Sequence, residues 1–199
     1  MADLERWAIS IVKVEYLADR QEFISTVAAW HRREWGYLRP VESLETRAAK
    51  VRAWCGHREI PTVLIASVGE TLLGSAMLVA HDMDTRMQWS PWLAGVVVAI
   101  EHRRRGIGAA LAERALADAR HLGFPTLYLY TFSTERYWTS LGWRFIERTS
   151  YLDTEVTVMS HALQEQREPT ARRGQAETCN IAPDHLSQGR GIANPRQLA

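Results

Sequence analysis

The chain has 199 residues, 46% of them hydrophobic, which suffices for one domain with a sizeable core but not for two of ordinary size. Its 24 basic and 23 acidic residues give a net charge of +1, so overall charge favours neither nucleic acid nor an anionic membrane as a partner. The two cysteines, Cys55 and Cys179, lie far apart and outside any C-x-x-C spacing, which argues against a disulfide framework and a structural zinc site.

The hydropathy pattern predicts a protein that does not cross a membrane. The longest apolar run covers residues 93–100, far fewer than the ~20 residues that span a bilayer. The amino terminus lacks a basic segment followed by an apolar one, which a signal peptide would need. We therefore expect a soluble, unprocessed protein in the reducing setting of the cytoplasm.

The first half of the chain predicts a strand, two helices and a hairpin. β-branched residues in partial alternation over residues 9–17 predict a strand, and Asp19 is typical of the N-cap of the helix that follows. Ser43 is typical of the start of a second helix. Residues 61–82 contain two apolar runs joined around Gly69, which predicts a hairpin.

The second half predicts a strand at residues 92–99, and then a helix whose apolar positions 111, 115, 119 and 122 share one face. Gly123 ends this helix. The remaining predicted elements are a strand at 126–131, a short helix at 134–141, and two closing strands at 143–149 and 155–163.

The composition changes at residue 164. Residues 164–199 have few large apolar side chains, scattered prolines and glycines, and no period, so they cannot bury enough surface to offset the entropy of ordering. We therefore expect one domain at residues 1–163 and a disordered tail at 164–199.

The connection from the strand at 92–99 to the next helix combines positive charge with glycines. The first amides of a helix lack internal partners and carry partial positive charge, so a helix start binds anions readily. Residues 103–105 are all arginine, and Gly106 and Gly108 allow a ligand to approach the backbone closely. This pattern predicts a pyrophosphate site, although a tight strand-to-helix connection alone would also explain the glycines.

Two familiar phosphate motifs do not fit this connection. A dinucleotide-binding fingerprint needs a third glycine where Leu111 stands, and a P-loop needs Gly-Lys-Ser/Thr, which is absent. The spacing R-x-x-G-x-G of Arg103, Gly106 and Gly108, between a strand and an amphipathic helix, resembles motif A of the GNAT superfamily of acetyl-coenzyme A dependent N-acetyltransferases.

The resemblance extends to the order of the predicted elements over residues 11–162, and segments such as WHRREWGYLRP and LGWRFIERTSY look like those of a small bacterial subgroup. It implies an α/β (α+β) fold, the GNAT fold. In this fold a mixed, mostly antiparallel sheet of about seven strands splays between strands 4 and 5, flanked by about four helices.

The resemblance also implies acetyl-coenzyme A as co-substrate, with no metal. The pantetheine arm would pair with the backbone of the fourth strand, and the pyrophosphate would lie on the backbone of residues 104–109 and on the Arg103 side chain. The implied cofactor-binding residues are Val96, Val97, Val98, Arg103, Arg104, Arg105, Gly106, Ile107, Gly108, Ala109 and Trp138.

In this family an amine attacks the thioester directly, with no covalent intermediate. An amine of pKa ~10.4 must first lose a proton, which requires a base or a water relay. The resemblance implies that the Val98 amide stabilises the oxyanion. Glu34, His81, Asp82 and Asp84 are candidates for the base, each with a cap or solvated loop position as its alternative. The predicted substrate-binding residues are Glu34, Trp35, Asp82, Asp84 and Trp89.

The sequence departs from the family at the residue that can protonate the leaving thiolate. Many members have a tyrosine there, whereas this chain has Trp138, whose indole N–H is not a usable proton donor. Tyr137 is therefore the candidate acid, with an aromatic wall for the pantetheine as its alternative; a water can also serve, or no acid is needed.

The implied function is acetyl transfer from acetyl-coenzyme A to a primary amine of a small molecule or peptide. The alternative is a degenerate GNAT domain that binds an acyl-coenzyme A without turnover, as a sensor or interaction module. No nucleic acid or membrane partner is expected, and the sequence leaves open whether the chain forms a homodimer.

Overall fold

The computed structural model describes residues 12–163. The strands in this range form one sheet in the order β1-β2-β3-β4-β5-β7-β6. They are β1 (Lys13–Tyr16), β2 (Thr62–Val68), β3 (Thr71–Val79), β4 (Trp92–Val98), β5 (Thr126–Thr131), β6 (Arg144–Tyr151) and β7 (Thr154–Ala162). The α-helices are α1 (Ile24–Trp35), α2 (Leu44–Ala53), α3 (Ile107–His121) and α4 (Glu135–Ser140).

All strand pairs are antiparallel except β4 with β5, which is parallel. The described residues thus confirm the predicted fold, a mixed and mostly antiparallel seven-stranded sheet with four α-helices. The predicted tail at residues 164–199 lies outside the described residues, and so does the predicted start of the first strand at residues 9–11.

Local signals in the sequence place some of the element ends. The Ser43 hydroxyl accepts a hydrogen bond of 3.0 Å from the Thr46 amide and so caps α2. Gly69 turns the β2–β3 hairpin at φ +56°. Asp19 is not the N-cap of α1. It lies in a 3-10 turn, and its Oδ1 is hydrogen-bonded to Nε2 of His57 at 2.8 Å. A second 3-10 turn, Gln21–Phe23, precedes α1.

Alternation along β2 divides the core into two layers on opposite faces of the sheet. Leu64 packs in the layer that contains the apolar face of α3, whereas Val63 and Ile65 pack in the layer under α1 and α2. The α3 residues in the first layer include Leu111, Ala115 and Ala119, as the periodicity predicts. α3 therefore packs on one face of the sheet, and α1 and α2 pack on the opposite face.

The sheet opens between β4 and β5. Their ladder is limited to the pair Trp92 and Tyr128, next to a hydrogen bond of 3.0 Å from the Tyr128 amide to the Pro91 carbonyl. The Ala99 amide donates to Leu73 of β3 at 2.9 Å, and backbone groups of successive strand residues point to alternate sides. The N–H and C=O of Val98 therefore face the gap on the β5 side.

Candidate functional site

A groove of about 380 Å³ lies where the chain passes from β4 into α3, and we call it the turn groove. Its walls are the end of β4, the connection to α3, the first turn of α3 and one side of α4. The lining residues are Glu34, Val96, Val97, Val98, His102, Arg103, Arg104, Gly106, Ile107, Gly108, Ala109, Thr134, Tyr137 and Trp138.

The connection into α3 has the left-handed backbone that glycine favours. Gly106 has φ +79° and Arg104 has φ +62°. α3 begins directly afterwards at Ile107, and the Gly106 carbonyl accepts the first helical hydrogen bond, from the Ala110 amide, at 3.0 Å. The first amides of this helix have no partner within it, so the start of α3 presents positive potential to the turn groove.

The phenol of Tyr137 lies against the start of α3. A methyl group placed on Gly108 would lie 2.8 Å from the Tyr137 hydroxyl oxygen and 3.8 Å from Cγ2 of Val98. Partial burial raises the pKa of this phenol. Tyr137 is therefore placed beside the helix amides, whereas Trp138 is buried and lies in edge contact with it, with ring centres 5.1 Å apart.

Arg103 connects the turn to the end of α1. Its Nε donates to the Val98 carbonyl at 3.0 Å, and its Nη2 lies 3.1 Å from Oε1 of Glu34. Arg33 adds a weaker contact to the same carboxylate at 3.6 Å. The Val98 carbonyl that faces the gap and the Glu34 carboxylate are thus both held by one guanidinium.

A second cavity, of about 340 Å³, lies between α1, α2, β4 and β5, and we call it the α1 cavity. The charged side chains that line it are Glu34, Arg39, Arg47 and Asp82. Four residues line both this cavity and the turn groove: Glu34, Val96, Thr134 and Trp138. The two spaces therefore meet at the point where the sheet opens.

Asp82 has an unusual environment in the α1 cavity. Burial raises its pKa to about 6, although the nearby charges of Arg39 and Arg47 act in the opposite direction. The Tyr130 phenol also lines this cavity, and its pKa is raised by burial and then by the Asp82 charge. Within residues 12–163, Asp82 forms no ion pair.

His31 is a polar residue of the α1 cavity that the sequence did not single out. Its ring is 1% exposed, and burial, followed by the charge of Arg47, lowers its pKa to about 4, so it is neutral at pH 7. Nε2 lies 3.4 Å from the Ser75 hydroxyl, and Nδ1 has no hydrogen-bond partner in the part of the chain described. A lone histidine in an amphipathic helix carries no sequence signal that distinguishes this position from a surface one.

The structure brings some of the predicted substrate residues together and leaves others apart. Glu34, Trp35 and Asp82 line the α1 cavity. Asp84 lies in an exposed 3-10 turn, and Trp89 stacks on Tyr128 with ring centres 5.5 Å apart; neither lines the cavity.

The remaining candidates are placed as follows. His81 is exposed and lines neither space. Arg105 lines a separate apolar groove beside Val12 and Val68, whereas every other predicted cofactor-binding residue lines the turn groove. The cavity residues that the sequence did not indicate include His31, Arg39, Arg47 and Tyr130. They lie on three different elements and one loop, so no spacing along the chain connects them.

Two general features of residues 12–163 bear on the type of site. No group of three or more histidine, cysteine, aspartate or glutamate side chains in this range could hold a metal ion. No helix in the same range is both long and apolar enough to cross a membrane.

Comparisons with known proteins identify relatives of this fold. The model of the acetyltransferase (GNAT) family matches residues 24–143. Comparison with curated proteins by sequence gives no match. Among solved structures, yncA from Salmonella typhimurium with acetyl-CoA is 16% identical at a TM-score of 0.60, covering 81% of this chain and 99% of that one.

Two further structures have the same fold. An aminoglycoside 6'-N-acetyltransferase complexed with coenzyme A is 15% identical at a TM-score of 0.62, covering 78% of this chain and 99% of that one. An N-acetyltransferase from Staphylococcus aureus Mu50 is 14% identical at a TM-score of 0.60, covering 77% and 99%. At these identities the likeness shows the fold.

Proposed function

We propose a function from the premise that this chain belongs to the acetyltransferase (GNAT) family. The protein transfers the acetyl group of acetyl-coenzyme A to a primary amine of a small molecule or peptide. The observation that carries this proposal is the meeting of the turn groove and the α1 cavity at Glu34, Val96, Thr134 and Trp138. A cofactor in the first space and an amine in the second would meet there.

The turn groove fits the cofactor in two respects. The exposed amides at the start of α3, next to Arg103 and Arg104, supply the donors and positive charge that a pyrophosphate needs. β4 pairs with β5 only at Trp92 and Tyr128, so the later residues of β4 leave an open backbone edge for an extended amide-containing arm; the Val98 carbonyl on this edge already accepts a hydrogen bond from Arg103. Structures of the same fold contain acetyl-CoA or coenzyme A, which supports this assignment.

When bound, acetyl-coenzyme A supplies an activated thioester that a neutral amine can attack. Glu34 is the one carboxylate among the described residues that lines both spaces, so it is our choice to accept the proton of the amine. Val98 directs its N–H into the gap, where it donates to the acyl oxygen. Asp82 lies within the α1 cavity, where it binds the acceptor.

One observation favours a second candidate, a domain that binds acyl-coenzyme A without turnover. The Tyr137 hydroxyl lies against Gly108, and Trp138, one of the four residues that line both spaces, cannot donate a proton. The lack of a proton donor at Trp138 does not itself prevent turnover, because a thiol of pKa ~8.5 leaves tolerably as thiolate near neutral pH.

The release of free thiol from acetyl-coenzyme A, measured against a panel of amines, separates the two candidates. We expect at least one amine to raise the rate above background hydrolysis, and Glu34→Gln to lower kcat by about 10² or more. Glu113→Gln, at an exposed position of α3 outside both spaces, is the matched control. If coenzyme A binds but no amine supports turnover, the binding module is correct; if Glu34→Gln retains wild-type kcat, the base lies elsewhere.

A further inference from the structure

We propose that Arg39 and Arg47 form a carboxylate-binding subsite in the α1 cavity, so that the acceptor is an amine that also carries a carboxylate. This inference rests on the proposed function, because it assigns the class of amine that the same site accepts. The subsite lies on residues that neither the glycine turn nor the cofactor groove requires.

The guanidinium of Arg47 is held in place by an ion pair. Its side chain is 17% exposed, and Nη2 forms an ion pair with Glu42, which also accepts a hydrogen bond of 2.6 Å from Lys50. Glu42 is the one ion-pair partner of Arg47 within residues 12–163. A guanidinium has five N–H donors, so most of the donors of Arg47 are available to a ligand in the cavity that it lines.

Arg39 is the second arginine of the same cavity. It lines the cavity, and its charge lowers the pKa of Asp82 and also acts on the phenols of Tyr130 and Tyr151. No ion pair joins either arginine to Asp82 in the described part of the chain. The two guanidinium groups thus line the same cavity of about 340 Å³, and the charges of both act on Asp82.

The charge balance of the α1 cavity favours an anion. Of the four charged residues in its lining, Glu34 is already paired with Arg103, and Asp82, whose pKa is about 6, forms no ion pair with either arginine in the described part of the chain. Within residues 12–163 Arg39 has no ion-pair partner, and Arg47 shares its partner, Glu42, with Lys50, so positive charge exceeds negative charge among these side chains. Guanidinium groups bind carboxylates through paired hydrogen bonds, which suits them to this anion better than ammonium groups would be.

The subsite also orients the acceptor. Glu34 lines both the α1 cavity and the turn groove, whereas Arg39, Arg47 and Asp82 line the α1 cavity and not the turn groove. An acceptor whose carboxylate binds the arginines presents its amine toward Glu34. The cavity therefore selects the distance between the two groups of the acceptor, in addition to the presence of the carboxylate.

The test compares amino acids, with increasing numbers of carbons between amine and carboxylate, with the corresponding amides as acceptors for the full-length protein. We expect the best acid to exceed its amide in kcat/KM by about 10- to 100-fold, the range of a charge-assisted hydrogen-bonded pair. Arg39→Gln and Arg47→Gln should each reduce this ratio toward one through KM, with kcat little changed. The control is Arg52→Gln, on the same helix as Arg47 but outside the cavity.

Each outcome of this test bears on the inference. Because Arg47 also holds Glu42, Arg47→Gln can weaken folding, but Arg39→Gln removes an exposed side chain and keeps the test valid. Equal rates for acids and amides, or a ratio that survives both substitutions, would overturn the subsite. If no amine is acetylated at all, the proposed function fails, and the subsite is then judged by thermal shift of the coenzyme A-loaded protein with N-acetylated amino acids against their amides. An Arg39-dependent preference for the acids would support it, and equal shifts would overturn it.

Discussion

Replacing Gly108 by alanine is a sharp test of the turn groove as the coenzyme A site. The added methyl group would stand on the first turn of α3, next to the amides that the pyrophosphate needs. It would also lie 2.8 Å from the hydroxyl oxygen of Tyr137, closer than such contacts normally come, so the phenol must move. Both effects should weaken binding of coenzyme A without disturbing the core.

The expected size follows from linkage between binding and folding. A ligand at one hundred times its Kd stabilises the folded protein by about 2.7 kcal/mol. For a domain of this length about 1 kcal/mol corresponds to 2–4 °C, so coenzyme A should raise Tm of the wild type by roughly 5–11 °C. If Gly108→Ala weakens affinity about 100-fold, the same concentration contributes about 0.4 kcal/mol and the shift falls to about 1–2 °C.

The assay is thermal unfolding followed by circular dichroism, with and without coenzyme A, on four variants. Gly108→Ala and Tyr137→Phe are studied alone and together, because the double variant removes the hydroxyl that the methyl group would meet. Gly36→Ala is the matched control: its methyl would lie 3.3 Å from the flexible Arg32 side chain, at a helix end outside the turn groove.

We expect the double variant to remain impaired, because the methyl group still covers the helix start. Recovery in the double variant would instead assign the defect to displacement of Tyr137. A folded Gly108→Ala protein that coenzyme A stabilises as much as the wild type would refute the turn groove as the cofactor site, provided that Gly36→Ala also keeps its full shift.

Three further predictions test other parts of the chain. Asp82→Asn should stabilise the protein against urea at pH 7 but not at about pH 4. A carboxyl whose pKa is raised in the folded state makes the folded protein less stable as the pH rises through about 6, and the amide removes this effect. Equal stabilisation at both pH values would contradict this prediction. Tyr137→Phe should keep kcat within about tenfold of the wild type, whereas a loss of 10² or more would make Tyr137 the acid. Truncation after Leu163 should leave Tm and turnover unchanged, and a large fall in Tm would show that residues 164–199 pack on the domain.

The order of elements and the glycine turn could be predicted because their signals are local. Ser43 caps α2 through its own hydroxyl, and Gly69 and Gly106 stand where the backbone is left-handed. The apolar spacing of α3 identifies its buried face without reference to the rest of the fold. Each of these features depends on a few neighbouring residues.

The α1 cavity could not be predicted in the same way, because its polar residues come from distant parts of the chain. His31 lies on α1, Arg47 on α2 and Tyr130 on β5, and they line one space only after the sheet has formed. Each residue alone has an ordinary surface or core position as its simplest explanation. The sequence therefore named most of the residues that line the turn groove but only part of those that line the α1 cavity.

One signal for the α1 cavity was nevertheless present in the sequence, the glycine inside the valine-rich strand β4. Gly95 has φ +55° and lies where the register between β3 and β4 shifts, so that β4 carries an extra residue opposite β3. The N–H and C=O groups of successive strand residues point to alternate edges of the strand, so one extra residue reverses the edge to which the backbone groups of every later residue point. The Val98 N–H and C=O consequently point to the gap. A side chain at Gly95 would lie 2.5 Å from the Met77 methyl and 3.4 Å from Nε2 of His31, both in the wall of the α1 cavity. The same glycine thus directs the backbone of β4 toward one space and leaves room for the residues that line the other.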